Sequence, residues 1–192
     1  MVAYDVFDDP YCYKGTSVLK NKARLRDAAE LESFELEMTT LRSEEPLPLG
    51  NFDPAHYRKI HKHIFQDVYS WAGKDRTVRT AKGGNWFCYP ENIKAAMDEL
   101  FKGLEEPAFQ PGAPATDFIN SAAAFLGELN AIHPFREGNG RTQLAFLYLL
   151  GLRAGHPLNL NRIDRATFMP VMIESFSGSS TPLAAELAKL LV

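Results

Sequence analysis

The chain has 192 residues, 45% of them apolar and 23% charged, with two cysteines and a formal charge of −3. That size suits one domain with a core of its own, and two cysteines are too few for a disulfide scaffold, so a reducing compartment is expected and a Cys12–Cys88 bridge is not. The mild acidity argues against nucleic-acid binding. No run approaches the roughly 20 apolar residues of a membrane span, and the acid in Met1–Asp5 stands where a signal peptide would carry bases.

Helical periodicity dominates. Asp27 can cap a helix to about Arg42, with Leu31, Phe34, Leu36, Met38 and Leu41 available to its buried side. Residues 44–50, rich in proline, read as a loop. Asp53-Pro54 is a cap followed by proline at the first helical position. The helix it opens carries Tyr57, Ile60, Ile64, Phe65 and Val68, and is expected to end near Trp71-Ala72-Gly73. Its histidines 56, 61 and 63 lack the i, i+4 spacing of a zinc-binding helix.

Residues 74–89 hold short β-prone pieces around Gly83-Gly84, which predicts a hairpin. Pro90 starts a helix through about Gly103, and residues 105–114 read as a surface connection. From Ala115 to Ala131 the stripe Phe118, Ile119, Ala122, Phe125, Leu126, Leu129 marks one helical face, which must end before Pro134. A helix from about Gly140 to Ala154 contains a Leu144–Leu150 run that is apolar all round, which predicts a central, buried helix. Two more follow, capped by Asp164 and by Thr181-Pro182. Trp71 and Trp86 read as packing residues, His156 as a helix end, and Arg24-Leu25-Arg26 as a solvated face.

The chemistry lies in His133-Pro134-Phe135-Arg136-Glu137-Gly138-Asn139-Gly140-Arg141. His133 follows a helix end with its geometry constrained by Pro134, and an imidazole can take a proton near neutral pH. Glu137 is a hard oxygen ligand suited to Mg²⁺. The Gly138-Asn139-Gly140 turn lets backbone N–H groups converge at the start of the next helix, where free amides favour anions. Arg141 adds a forked cation suited to phosphate. A Gly-Asn-Gly turn alone is an ordinary connection. A base, a metal ligand, an anion nest and an arginine within nine residues point to a phosphate-handling site.

This segment resembles the signature of the Fic family, His-Pro-Phe-any-Asp/Glu-Gly-Asn-Gly-Arg, at every specified position. The stretch from Ile60-His61 through Phe65–Gly73 is similar to the family's helix before its hairpin. The stretch Asp9-Pro10-Tyr11-Cys12-Tyr13-Lys14-Gly15 through Asn21 is similar to the start of bacterial Fic toxins and of Fic domains in type IV secretion effectors. The resemblance implies a single, mainly helical Fic domain over 1–192, with a small β-hairpin flap near 76–89. It implies an adenylyltransferase that moves AMP from ATP to a Tyr, Thr or Ser hydroxyl of a target protein. His133 would be the general base, Glu137 would hold Mg²⁺, and Gly138 and Gly140 would supply backbone donors. Asn139 would position the α-phosphate and Arg141 would neutralise departing pyrophosphate, with Arg136, Lys82 and Gly83 as further nucleotide contacts. Thr80, Ala81, Lys82, Gly83 and Gly84 would bind the target on the flap.

Two departures matter. The family's second arginine, three positions beyond Arg141, is Leu144 here, which leaves open transfer of another nucleotide or of a phosphate, or a catalytically weak protein-binding module. The inhibitory pattern Ser/Thr-any-any-any-Glu-Gly/Asn does not occur, since only Glu91 and Glu137 precede Asn or Gly and Phe87 and His133 stand four residues before them. A separate small antitoxin is therefore expected, or no such inhibition. The place of action is expected to be the bacterial cytoplasm or a host or neighbouring cell.

Overall fold

The computed structural model describes residues 9–82 and 84–192, so the readings placed on Met1–Asp5 and on Gly83 lie outside the described residues. The order is α1 (Ala28–Ser43), α2 (Pro54–Phe65), β1 (Ala81–Lys82), β2 (Asn85–Trp86), α3 (Ile93–Lys102), α4 (Ala115–Ile132), α5 (Asn139–Ala154), α6 (Arg165–Glu174) and α7 (Thr181–Ala188). This is the mainly helical fold with one small antiparallel hairpin that the sequence predicts. None of the helices among the described residues is long and apolar enough to cross a membrane. By contact the chain divides into two compact units. One comprises the residues up to Lys94 together with His133–Thr142, and the other comprises Ala95–Ile132 with Gln143–Val192.

In the first unit, α1 packs on α2. Asp27 caps α1, its carboxylate accepting from the amides of Ala29 and Glu30. The buried side of α1 differs from the expected one. Leu31, Glu35 and Thr39 face inward, while Leu36 and Leu41 are 65% and 52% exposed. Spacing of four residues selects that stripe, and Glu35 is buried because it finds polar partners described below. Asp53 caps α2 through the His56 amide and Pro54 fills the first turn, as expected.

The end of α2 is earlier than Trp71–Gly73. Residues 66–73 fold back as turns, and the Gly73 amide donates to His61 Nδ1 at 2.8 Å. Gly73 has φ +80°, and a Cβ there would sit 2.8 Å from Lys62 Cβ, so the return against α2 requires glycine. In the hairpin, Ala81 faces Trp86 and Lys82 faces Asn85. Both cysteines are free thiols, and burial, with Asp9 beside it, pushes the Cys12 thiol up to about 11.

In the second unit, α4 packs on α7 and α6 on α7. The predicted stripe of α4 is buried throughout, and Phe101, Phe109, Phe118, Phe125 and Phe146 form an aromatic cluster. The helix α5 is not buried on all sides. Phe146, Leu147 and Leu150 are in the core, whereas Tyr148 and Leu152 are exposed. Asp164 caps α6 through Ala166. Thr181 is the first helical residue of α7 rather than its cap, a place taken by Ser180 without a side-chain bond.

Candidate active site

All of the residues described in this section belong to the first unit. At the end of α4 the chain turns through His133, a non-glycine residue with φ +49°. The left-handed conformation ends a helix but strains a residue with a Cβ, so something must hold it. Arg76 does. It is 2% exposed, and its Nε donates to the His133 carbonyl at 2.8 Å while its own amide donates to the Pro134 carbonyl at 2.8 Å. The other two guanidinium nitrogens donate to the carbonyls of Val78 (2.6 Å) and Cys88 (2.5 Å), on either arm of the hairpin. One buried cation thus ties the hairpin's base to the backbone of His133. The imidazole lies flat on Phe87, with centroids 3.9 Å apart and planes at 11°. Phe87 in turn donates its amide to the Thr80 carbonyl, at 3.1 Å.

Phe135 is fully buried between Tyr57 and His61. Asn139 closes the loop over it: Oδ1 accepts from the Phe135 amide at 3.0 Å and Nδ2 donates to the Phe135 carbonyl at 2.8 Å. Asn139 is 1% exposed, and these two bonds fix the turn. His61 supports the loop from beneath. Because its Nδ1 accepts from Gly73, its Nε2 carries the proton and donates to the Glu137 carbonyl, at 3.0 Å. Burial lowers its pKa to about 3, so it stays neutral.

Arg136, expected from the resemblance as a nucleotide contact, is 5% exposed. It pairs with the buried carboxylate of Asp9 at 2.7 Å, and Asp9 also accepts from the Tyr11 amide. The segment from Asp9 is therefore an anchored strap on the loop.

The Glu137 carboxylate is buried. Its Oε1 accepts from the Gly138 amide at 2.9 Å, and its Oε2 is a buried oxygen with no hydrogen-bond partner among the described residues. Burial is the main cause that pushes its pKa above the ordinary carboxylate range. Gly138 and Gly140 differ in kind. Gly138 has φ +84°, and a Cβ there would strike the Phe65 ring at 2.3 Å; a Cβ at Gly140 would meet nothing within 4 Å. Gly138 is fixed by packing, and Gly140 borders open space. The amides of Gly140 and Arg141, in the first turn of α5, find no acceptor among the described residues.

Arg141 lies over the Phe65 ring and is 39% exposed along its side chain. One guanidinium nitrogen donates to Glu35 Oε1 at 2.5 Å and the other to Thr39 Oγ1 at 3.3 Å, both on α1. The second oxygen of Glu35 accepts from the Tyr69 hydroxyl. Arg141 also stands 3.8 Å from Glu137 Oε1. On the hairpin, Thr80 and Ala81 are buried, Lys82 is half-buried and Gly84, with φ +81°, is exposed.

The structure thus assembles the predicted loop with its hairpin, and adds residues to which the sequence assigned no role at the site: Arg76, Phe87, His61, Glu35 and Asp9. The only sequence signal for Glu35 is its place at i+4 between Leu31 and Thr39. Arg76 has none beyond being a cation in a β-prone stretch. The other helical histidines bond backbone carbonyls, His56 that of Pro48 and His63 that of Arg42.

The sequence matches the Fic/DOC family over residues 51–150. It is 48% identical over its whole length to all of a Sinorhizobium fredii protein named "Probable protein adenylyltransferase y4lH". It is 37% identical over 188 residues to the protein adenylyltransferase VbhT of Bartonella schoenbuchensis, of whose length the match covers 39%. Among solved structures, BepC of Bartonella tribocorum, a VirB-translocated effector crystallised with bound AMPPNP, superposes with TM-score 0.85 at 29% identity, covering 95% of this chain and 96% of that one.

Proposed function

The chain belongs to the Fic/DOC family, and on that premise we propose that it is a protein adenylyltransferase, transferring AMP from ATP to a side-chain hydroxyl of a target protein. The observation that carries this reading is the opening of α5, where two amides without acceptors among the described residues stand at Gly140, which borders open space, and at Arg141, beside a Glu137 oxygen that has no partner among those residues. Such a place favours phosphate oxygens.

In the mechanism, residues 1–192 act as one functional domain. The target hydroxyl attacks the α-phosphorus of ATP as His133 takes its proton, and the bond to pyrophosphate breaks. The stacked ring and the clamped carbonyl set where the imidazole points, so the base needs no search for its geometry. The amides at Gly140 and Arg141 receive phosphate oxygens, Gly138 and Asn139 keep the turn in shape, and Arg141 neutralises charge on the leaving pyrophosphate. A lone buried carboxylate oxygen beside a phosphate site suits Mg²⁺, which binds through one or two carboxylates plus substrate phosphates. Glu137 would hold it, and the ion would offset phosphate charge. Lys82 and Gly84 border nucleotide and target on the flap, the sequence alone assigns Gly83 the same role, and Thr80 and Ala81 present the backbone to which a target segment pairs.

Leu144 favours a second reading in which another nucleotide is transferred, since one turn of α5 beyond Arg141 it offers no cation. Control by a separate small antitoxin fits the absence of the inhibitory pattern, and action in the bacterial cytoplasm or in a cell it is delivered to fits its similarity to a translocated effector.

The test is transfer of label from α-labelled ATP to lysate proteins. Wild-type protein is expected to label discrete bands, and His133→Ala to lose at least a hundredfold of that rate, in line with the roughly 10²–10⁴-fold of general base catalysis, while still binding a fluorescent ATP analogue. Equal labelling by both proteins would refute the role of His133.

A further inference from the structure

The hairpin carries a cation that the mechanism does not use. Arg79 stands between two aromatic rings, its guanidinium carbon 4.2 Å from the Trp86 centroid and 3.9 Å from that of Tyr89. The pairing follows from the register. Ala81 faces Trp86, so Trp86 is the diagonal neighbour of Arg79 on the same face, and the small Ala81 leaves the indole free to receive it. Tyr89, at the turn toward α3, closes the other side. Both rings are about half exposed.

Arg79 forms no hydrogen bond or ion pair among the described residues, and its Nε is buried without a partner. By contrast, Arg42, Arg58, Arg136 and Arg141 each meet a carboxylate. A guanidinium held between two rings has lost much of its rotational freedom before any anion arrives.

The Phe87 amide bonds the Thr80 carbonyl, which makes 80 and 87 a hydrogen-bonded pair. In an antiparallel ladder the next positions, 79 and 81, direct their N–H and C=O groups away from the partner strand. Ala81 is 2% exposed, so its backbone is covered in this structure, and the accessible part of the hairpin is the Arg79 clamp with its two half-exposed rings. Charge sets what a docking target carries there. Residues 74–89 hold Lys74, Arg76, Arg79 and Lys82 against Asp75 alone, in a chain of net charge −3, and Asp75 is engaged by Arg58.

We propose that Arg79, clamped between Trp86 and Tyr89, reads an aspartate or glutamate side chain on the target segment that docks on the hairpin. The two terminal nitrogens of the guanidinium are the donors for that carboxylate. Arg79 is then a specificity determinant for the target, resting on the transfer reading above, and touches no reacting atom.

The test uses short fluorescent peptides with one Tyr, Thr or Ser and an Asp placed at each flanking position in turn. Each has an Asn-containing and a Lys-containing counterpart. Binding to the full chain is read by anisotropy and AMP transfer by mass shift. Wild-type protein is expected to favour the best Asp peptide over its Asn counterpart by about tenfold, the scale of one well-placed charge-assisted contact. Arg79→Gln is expected to bind both alike with unchanged affinity for a fluorescent ATP analogue, and Arg79→Glu to prefer the Lys peptide. Equal binding of Asp and Asn peptides by wild-type protein, or a preference that survives Arg79→Gln, overturns the proposal. Discrimination in binding with no transfer to any peptide or lysate protein supports the docking role and refutes the adenylyl-transfer reading instead.

Discussion

Replacing Arg76 by lysine tests whether the hairpin holds the base in place. The guanidinium donates to the carbonyls of His133, Val78 and Cys88, in a site with 2% exposure. A hydrogen bond from a charged donor contributes about 1.5–3 kcal/mol net, so removing all three by Arg76→Met would cost roughly 5–9 kcal/mol, comparable to the ~5–15 kcal/mol stability of a whole domain. That variant would report only unfolding. Lysine keeps the charge but not the planar fork, and reaches one or two of the three carbonyls. Arg76→Lys is therefore expected to lose about 2–4 kcal/mol in urea unfolding, on the same per-bond scale. Its kcat should fall by about a hundredfold if the His133 backbone shifts by an ångström, with nucleotide affinity little changed, because the amides at the start of α5 are untouched. Arg58→Lys is the control: its pair with Asp75 is partly exposed, and the loss should stay below about 1 kcal/mol. An Arg76→Lys protein with full kcat, whatever its stability, would refute the coupling of hairpin to base.

Two further outcomes follow from single residues. His61 has a native pKa of about 3, below its unfolded value near 6.5, so its contribution to stability is complete above pH 6.5 and lost as pH falls toward 3, at up to about 1.4 kcal/mol per pH unit. Glu137, raised by burial, titrates with the opposite sign, so the comparison is with His61→Gln, whose acid unfolding should show a shallower slope over pH 6.5 to 3; identical slopes would refute a neutral buried His61. Leu144→Arg should raise the transfer rate with ATP or change the ranking among ATP, GTP, CTP and UTP, and unchanged rate and ranking would remove the role assigned to that position.

What the sequence made legible was local. The caps at Asp27, Asp53 and Asp164, the proline start of α2 and the stripe of α4 each depend on residues within one or two turns, and the structure has them where expected. The loop was legible because its residue types stand together in nine positions. What failed was always a partner far along the chain. Periodicity offered Leu31, Phe34, Leu36, Met38 and Leu41 to the buried side of α1; Leu31 is buried, but Leu36 and Leu41 are exposed and Glu35 is buried in their stead, 106 residues from the Arg141 that neutralises it. An apolar run predicted α5 buried on all sides, yet a run records hydrophobicity and not which neighbours arrive, and Tyr148 remains at the surface.

The same limit separates two glycines that look alike in the sequence. Gly138 has Phe65 against the place of its missing Cβ, and Gly140 has space there. Substituting either by alanine would have the same local meaning in sequence. In the structure the first would push the loop off α2, while the second would place a methyl where phosphate is proposed to lie. The loop is thus built from the core outward: Phe135, His61 and Gly138 fix its inner side by packing, and that fixing leaves Glu137 Oε2, the α5 amides and the open edge of Arg141 as the groups still able to bind something else. The polar groups the core does not use are the ones available for chemistry, and Arg79 on the hairpin meets the same criterion for the target.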